Sequence, residues 1–320
     1  MDAKDFLPGE GVVARIKADI ERYETERRRA HRAVMWRIPV FDGLWIAAIL
    51  GVAYAFNSFA DPNEQWLSTP HVFLYIVGFF ALFFIHAQAV KPATELQQSL
   101  RVRIMPLVFG FIEEMGYRHE ATPVSFSRMP QEASGAFNRQ SFDDVISGRY
   151  EGFPFELYEA TLSQKSGKSR SSVFKGVIVA FETIASFPGL LVATRKSGMV
   201  VGFLKSLFGG KLEELQSGVA ALDENYEFRT DNVEAARPLV TGRLAQALQW
   251  LGETWPEQPA RVALKGSDGF LLIPLSKNFF ELPGISQPLD YKAHVEPMIA
   301  DMGALLATAA LVRKIGAPEG

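Results

Sequence analysis

"VFDGLWIAAILGVAYAFNSFA" (Val40–Ala60), "DPNEQWLSTP" (Asp61–Pro70) and "HVFLYIVGFFALFFIHAQAV" (His71–Val90) follow one another without a break. Each apolar run is about 20 residues long, the length that carries an α-helix across a hydrocarbon core. Asp42 is the one carboxylate in either run, and it stands near an end, where a carboxylate can reach water. Trp36, Trp45 and Trp66 fall near the expected interfaces, as amphipathic aromatics do. The pattern predicts a transmembrane hairpin over 38–90 with spans 40–60 and 71–90, in preference to two buried core helices. A cleaved signal peptide is not expected, because the first apolar run starts late and a second follows it.

Lysine and arginine in the short flanks set the side. Arg22, Arg27, Arg28, Arg29, Arg32 and Arg37 precede the first span, and Lys91, Arg101 and Arg103 follow the second. The connecting stretch from Asn57 to Pro70 holds Asp61 and Glu64 and no basic residue. Both termini are therefore expected in the cytoplasm, with the connection facing outward, which in a bacterium is the periplasmic side of the inner membrane. The basic run Glu26–Arg32 is ordinary positive-inside flanking, with attraction to anionic lipid as the alternative.

Working outward, an N-terminal helix over 1–37 and a second helix over 91–116 flank the hairpin on the same side. Val13, Ile16, Ile20 and Tyr23 follow helical spacing, as do Leu96, Leu100, Leu107 and Phe111. The two are expected to pair antiparallel and to extend the hairpin into the cytoplasm. Gly43, Ala47, Gly51 and Ala55 recur every fourth residue of the first span. Small residues at that spacing let helix backbones approach closely. They form either a self-association seam or the face that packs on the second span.

The bulk composition agrees with this layout. Of 320 residues 48% are hydrophobic, and the mean hydropathy is +0.05. A net charge of -3 gives no electrostatic reason to expect nucleic acid. The chain has no cysteine, so disulfides, thiol catalysis and thiolate metal sites are excluded.

From Tyr117 the pattern changes. "YEGFPFELYEATLSQ" (Tyr150–Gln164) reads as strand or hairpin, "KSGKSRSS" (Lys165–Ser172) as a polar turn, and "VFKGVIVAFETI", "GLLVATRK" and "NYEFRTD" as further strands. Pro238–Trp250 reads as helix. "RVALKGSDGFLLIPLS" (Arg261–Ser276) reads as a hairpin turning at Ser267-Asp268-Gly269. His294–Lys314 reads as a closing helix. The fold class expected is α+β: a two-span helical hairpin extended by cytoplasmic helices, then a largely antiparallel β-sheet domain with a few helices over 117–320.

Four blocks carry a resemblance: "FDDVISGRYEGFPFELYEATL" (Phe142–Leu162), "SSVFKGVIVAFE" (Ser171–Glu182), "NYEFRTDNVEAARPLVT" (Asn225–Thr241) and "FLLIPLSKNFFEL" (Phe270–Leu282). They resemble the bacterial domain-of-unknown-function 3137 family. The most specific part is Gly148-x-Tyr150, Glu159 and Val173-Phe174-Lys175-Gly176. The resemblance implies the same plan of charged helix, two spans, second helix and cytoplasmic β-rich domain. It brings no established activity and no catalytic residues. The chain departs from the family's pattern in the apolar insert after Arg195.

Chemistry is sparse in the sequence. Gly167-Lys168-Ser169 lacks the glycine five residues upstream that a phosphate-binding loop needs, because Leu162 stands there. Lys165, Lys168 and Arg170 are candidates for phosphate or lipid headgroups, or a solvated hairpin tip. Glu156 and Glu159 lie on opposite faces of a strand and form no carboxylate pair. The five histidines, at 31, 71, 86, 119 and 294, are too scattered for a local metal motif, and His86 shows no partner. No catalytic residue, cofactor or metal is expected. In "ATRKSGMVVGFLKSLFGGK", Phe203, Leu204, Leu207 and Phe208 are fenced by Lys196, Lys205 and Lys211. They are candidates for contact with a membrane interface, with packing inside the domain as the alternative. The function expected is a membrane-anchored binding or scaffold module that contacts lipid and a protein partner or its own copies. The rivals are a subunit of a larger membrane complex, joined through the small-residue face, and an enzyme whose site is assembled only in three dimensions.

Overall fold

The computed structural model describes residues 7–59, 66–167, 169–196, 212–254, 260–276 and 278–314. The chain divides into two compact units. One is Glu10–Leu107 with Leu282–His294; the other is Val108–Glu281 with Val295–Gly320 and Met1–Gly9.

The first unit is built on two long helices, α1 (Glu10–Asn57) and α2 (Thr69–Val108). With 48 residues, α1 is about 72 Å long at 1.5 Å per residue. Its lower half buries Ile16, Ile20, Tyr23, Arg27 and Val34, close to the face that the sequence predicts. Facing residues on α2 include the buried Ala89, Ala93 and Leu100. Segment 282–294 packs here too, although it was expected in the sheet domain. Arg27 clamps Glu24 with two bonds, of 2.7 and 2.8 Å, and donates to the Ile285 carbonyl at 2.7 Å. Glu24 accepts from Leu289 N–H at 2.8 Å, and Lys17 lies over the Tyr291 ring. One of the flanking arginines is thus a structural residue. The upper halves of α1 and α2 are long and apolar enough to cross a membrane. Only 6% and 11% of their most apolar windows are buried.

The predicted helix over 91–116 ends early. α2 stops at Val108, Ile112 N–H donates to the Phe109 carbonyl, and strand β1 (Glu113–His119) begins. The sheet unit therefore takes 108–281 and returns at 295. After β1 come a 3₁₀ turn (Ser125–Arg128), α3 (Gln131–Ser134), β2 (Arg139–Tyr150), β3 (Phe153–Ser166) and β4 (Ser169–Arg195). Then follow β5 (Glu213–Leu215), α4 (Ala220–Asn225), β6 (Tyr226–Thr230), α5 (Val233–Val240), α6 (Arg243–Thr254), β7 (Arg261–Pro274) and α7 (Glu296–Arg313). Strand order is β1-β2-β3-β4-β6-β5, with β7 on β4. All these pairings are antiparallel, as expected.

Three readings are corrected. "VFKGVIVAFETI" and "GLLVATRK" form one strand, β4, whose register against β7 shifts between Glu182 and Leu190. Pro188 is tolerated at that irregularity. Asp268-Gly269 is no turn: β7 runs straight through and pairs with β4 along its length. Gly269 is there because a β-carbon would lie 2.4 Å from the Phe181 ring. The predicted helix 238–250 is two helices, α5 and α6, parted at Thr241-Gly242.

Both faces of the sheet are covered, so β4 carries the continuous buried run Val177–Phe181. On one face Val145, Tyr158, Ile178 and Leu272 pack with Ala133 of α3 and with Phe126 and Phe142. On the other lies α7, which also touches α6. Two thirds (67%) of its apolar window is buried, which accounts for a helix apolar all round.

Gly176, in the most specific block of the resemblance, has φ +153°. A β-carbon there would sit 2.0 Å from the Ile273 carbonyl oxygen of β7. Gly176→Ala should cost about 2–4 kcal/mol through backbone strain and displacement of β7. The melting temperature of the detergent-solubilised protein should fall by several degrees. Gly252→Ala, on α6 with nothing within 4 Å, should leave it equal or slightly higher. Equal effects would show that β4 and β7 do not approach this closely.

Candidate functional site

Within the helical unit, the two apolar halves meet through a short column of polar contacts. Asp42 Oδ2 is 3.0 Å from His86 Nδ1, and Trp45 Nε1 donates to the Gly78 carbonyl at 3.0 Å. The Ile49 side chain lies against Gly78, where a β-carbon would be only 2.8 Å away. Ala53 carbonyl meets His71 Nε2 at 2.9 Å, and His71 Nδ1 meets Ser68 Oγ at 2.7 Å. Asp42, Trp45, Ile49 and Ala53 therefore form the face of α1 that meets α2. His86 has a partner after all, 44 positions away in sequence.

The small-residue stripe is not that face. Gly43, Ala47, Gly51 and Ala55 are all exposed, and β-carbons at Gly43 and Gly51 would meet nothing within 4 Å. The alternative that the stripe packs on the second span is thus overturned. The polar groups one position round the helix decide the matter, because their partners lie on α2.

In the sheet unit, the chemistry gathers around an irregularity in β2. Phe142 pairs with Ala160 and Val145 with Tyr158, so Asp143 and Asp144 together oppose the single residue Glu159 of β3. On the outer side, His119 of β1 stands directly opposite Asp144. Its Nδ1 lies 3.1 Å from Asp143 Oδ1 and 3.1 Å from Asp144 Oδ1. Asp144 is fully buried and accepts from Tyr117 Oη at 2.5 Å. Asp143 accepts from Asn278 Nδ2 at 2.6 Å. Glu159 is 8% exposed. Its Oε1 accepts from the Phe279 and Phe280 N–H groups. Its Oε2 is buried and has no hydrogen-bond partner among the described residues. Burial pushes the Glu159 carboxyl up to about 8, the Asp144 and Asp143 charges add to the rise, and the Phe279 and Phe280 N–H groups oppose it.

Sequence reasoning passed over this group. Three strands contribute, and only the adjacent acids in "FDDVISG" were a signal, being two carboxylates inside an otherwise strand-like run. The opposite-face reading of Glu156 and Glu159 agrees with the structure. Glu156 faces away and anchors the 3₁₀ turn, accepting from Val124 N–H, Ser125 N–H, Ser125 Oγ and Arg118. It lines an open concavity of about 310 Å³ with Arg118, Arg128 and Phe155. Arg128 is itself paired with Asp268 at 3.0 Å.

The other predicted residues divide as follows. Lys165 and Arg170 face each other across the β3–β4 tip, both exposed, with Arg170 Nε donating to Ser163 Oγ at 3.1 Å. Lys196 donates to the Asp223 carbonyl at 2.6 Å. Lys168, Phe203, Leu204, Lys205, Leu207, Phe208 and Lys211 lie outside the described residues.

No protein-family model matches the chain, and no curated protein matches it. Among solved structures it is similar to the mycobacterial trehalose monomycolate transport factor A, TtfA. The identity is 11% and the TM-score 0.38, over 63% of this chain and 86% of that one. A likeness at that level carries no argument about fold or function.

Glu159 makes stability depend on pH in a defined direction. Its folded value of about 8 stands above the ordinary glutamate value of about 4.3. Between those limits the folded state holds a proton that the unfolded state has lost, so stability falls as pH rises through the window. The melting temperature in chelator-containing buffer should therefore decline from pH 5 to pH 8. Glu159→Gln keeps an oxygen for Phe279 and Phe280 and should flatten that decline. An unchanged slope in the variant would refute the assignment.

Proposed function

We propose that the chain is a two-span, membrane-anchored binding module of the bacterial inner membrane, with both termini in the cytoplasm. The observation that carries this reading is the near-complete exposure of the apolar halves of α1 and α2, with 6% and 11% of their windows buried. Phe41, Leu44, Leu50, Phe73, Phe80 and Phe84 all face outward there. A continuous apolar surface of that size is stable in lipid and a liability in water. The absence of Lys and Arg from the connection, against the basic flanks on both far sides, supports the orientation. The layout is the one implied by the resemblance to the domain-of-unknown-function 3137 family, and kinship with it is proposed on the blocks quoted above.

Binding is favoured over catalysis because the concavity's polar groups already serve the fold. Glu156 is saturated by the 3₁₀ turn and Arg118, and Arg128 is held by Asp268. The partner proposed is protein or lipid at the cytoplasmic surface, with the basic-flanked segment after Arg195 as the proposed lipid contact. A second reading, membership of a larger assembly, is favoured by the outward-facing stripe at Gly43, Ala47, Gly51 and Ala55.

Two experiments test these readings. A reporter active only outside the cytoplasm should work when inserted at Pro62 and stay silent when fused after Gly320; the reverse pattern would overturn the orientation. For the assembly reading, Gly51→Ile should leave the melting temperature unchanged but shift the detergent-solubilised protein to a smaller species in light scattering. Gly78→Ile should instead destabilise the hairpin, because Ile49 fills that space. A Gly51→Ile protein of unchanged size would exclude the stripe as a contact.

A further inference from the structure

We propose that His119, Asp143 and Asp144 hold a divalent transition-metal cation, with the Glu159 carboxyl of the opposing strand beside the site and not a ligand in it. The three donor atoms lie within 4.8 Å of one another. More telling are the two separations of 3.1 Å from His119 Nδ1 to one oxygen of each aspartate. Metal–nitrogen and metal–oxygen bonds of about 2.0–2.2 Å at tetrahedral or octahedral angles place neighbouring donors roughly 2.8–3.6 Å apart. The imidazole and carboxylates are spaced as ligands of one small ion would be.

A second observation comes from β3. Glu159 belongs to the same level of the sheet, because the extra residue in β2 sets both aspartates against it. It is 8% exposed, and its Oε2 is buried with no hydrogen-bond partner among the described residues. A buried, unsatisfied carboxylate oxygen costs free energy unless something positive or proton-bearing meets it. The Asp144 and Asp143 charges repel it, which compounds the cost. A cation held by His119, Asp143 and Asp144 offsets the repulsion that the two aspartates exert on the Glu159 carboxylate.

The surroundings are those of a supported ligand set. Tyr117 Oη fixes Asp144 and Asn278 Nδ2 fixes Asp143, so two of the ligands are oriented by hydrogen bonds from residues that do not themselves bind. Such outer partners tune metal affinity by about 10–100-fold. Donors of one nitrogen and several oxygens, with no sulfur, suit zinc or manganese and set the site apart from the all-oxygen cages of calcium and magnesium. The competing arrangement is an imidazolium held between two carboxylates, with no metal.

The test uses the full-length protein in detergent, stripped with chelator and desalted. Zinc is titrated in by calorimetry, with manganese and magnesium as comparators, and each sample is melted with and without metal. The expected result is one zinc per chain, a melting temperature raised by several degrees, and little response to magnesium. His119→Gln and Asp143→Asn should each weaken zinc binding at least tenfold. Asn278→Ala, which removes no ligand, should weaken it to a smaller degree. Each variant is compared with its own metal-free form, so a general loss of stability does not imitate loss of the site; a variant that fails to fold is replaced by the other. No zinc binding by folded wild-type protein would leave the histidine–aspartate contacts as they stand without metal and overturn the proposal. Zinc bound equally well by wild type, His119→Gln and Asp143→Asn would place the ion elsewhere and overturn it too.

Discussion

One 27-residue strand organises the sheet unit. β4 receives β3 along its first half, β6 at its far end, and β7 along most of its length. Three partners share a single backbone, so the register of each constrains the others. The strand meets this demand by carrying apolar residues on both faces through Val177–Phe181 and by taking up mismatch in one place, between Glu182 and Leu190. There Pro188 offers its carbonyl to Asn232, and Asp231 takes the Leu190 N–H. The polar groups that an interrupted ladder would leave bare are thereby satisfied. The placement of α7 on one face and α3 on the other follows from a sheet that is apolar on both sides.

In the helical unit the corresponding constraint is polar. In the lipid setting proposed above, two apolar helices gain little from each other, so specific contacts choose their mutual rotation. Trp45 with the Gly78 carbonyl, and His71 with the Ala53 carbonyl and Ser68, provide them. Asp42 with His86 adds a third, at the other end of the column. The faces left over, including the glycine and alanine stripe, are available to whatever surrounds the hairpin.

How much of this is legible in the sequence depends on distance along the chain. Helical spacing showed the buried face at Ile16, Ile20 and Tyr23, and length with hydropathy showed the two apolar runs. Alternation and turn residues showed most strands. "VFKGVIVAFETI" and "GLLVATRK" read as two strands because composition alone cannot show that a register shift will join them into one. Asp268-Gly269 reads as a turn because nothing local reveals the Phe181 ring beneath that glycine. The candidate metal group was illegible for a similar reason: His119 meets Asp143 and Asp144 only after two strands pair and one of them gains an extra residue. Asp42 and His86 each look solitary until the hairpin closes.

Segment 282–294 has a consequence for how the molecule is made. Arg27 is buried early in α1, yet the carbonyl that completes its hydrogen bonding belongs to Ile285, 258 residues further on. Glu24 likewise waits for the N–H of Leu289. At about 5–20 residues per second, the ribosome delivers that stretch on the order of tens of seconds after the first helix has emerged. During this interval the lower part of α1 carries a guanidinium and a carboxylate that have only each other. Completion of the N-terminal helices is therefore a late event in biogenesis, contingent on synthesis having passed Leu289, and a nascent chain halted before Leu282 would expose an unfinished helix pair to quality control.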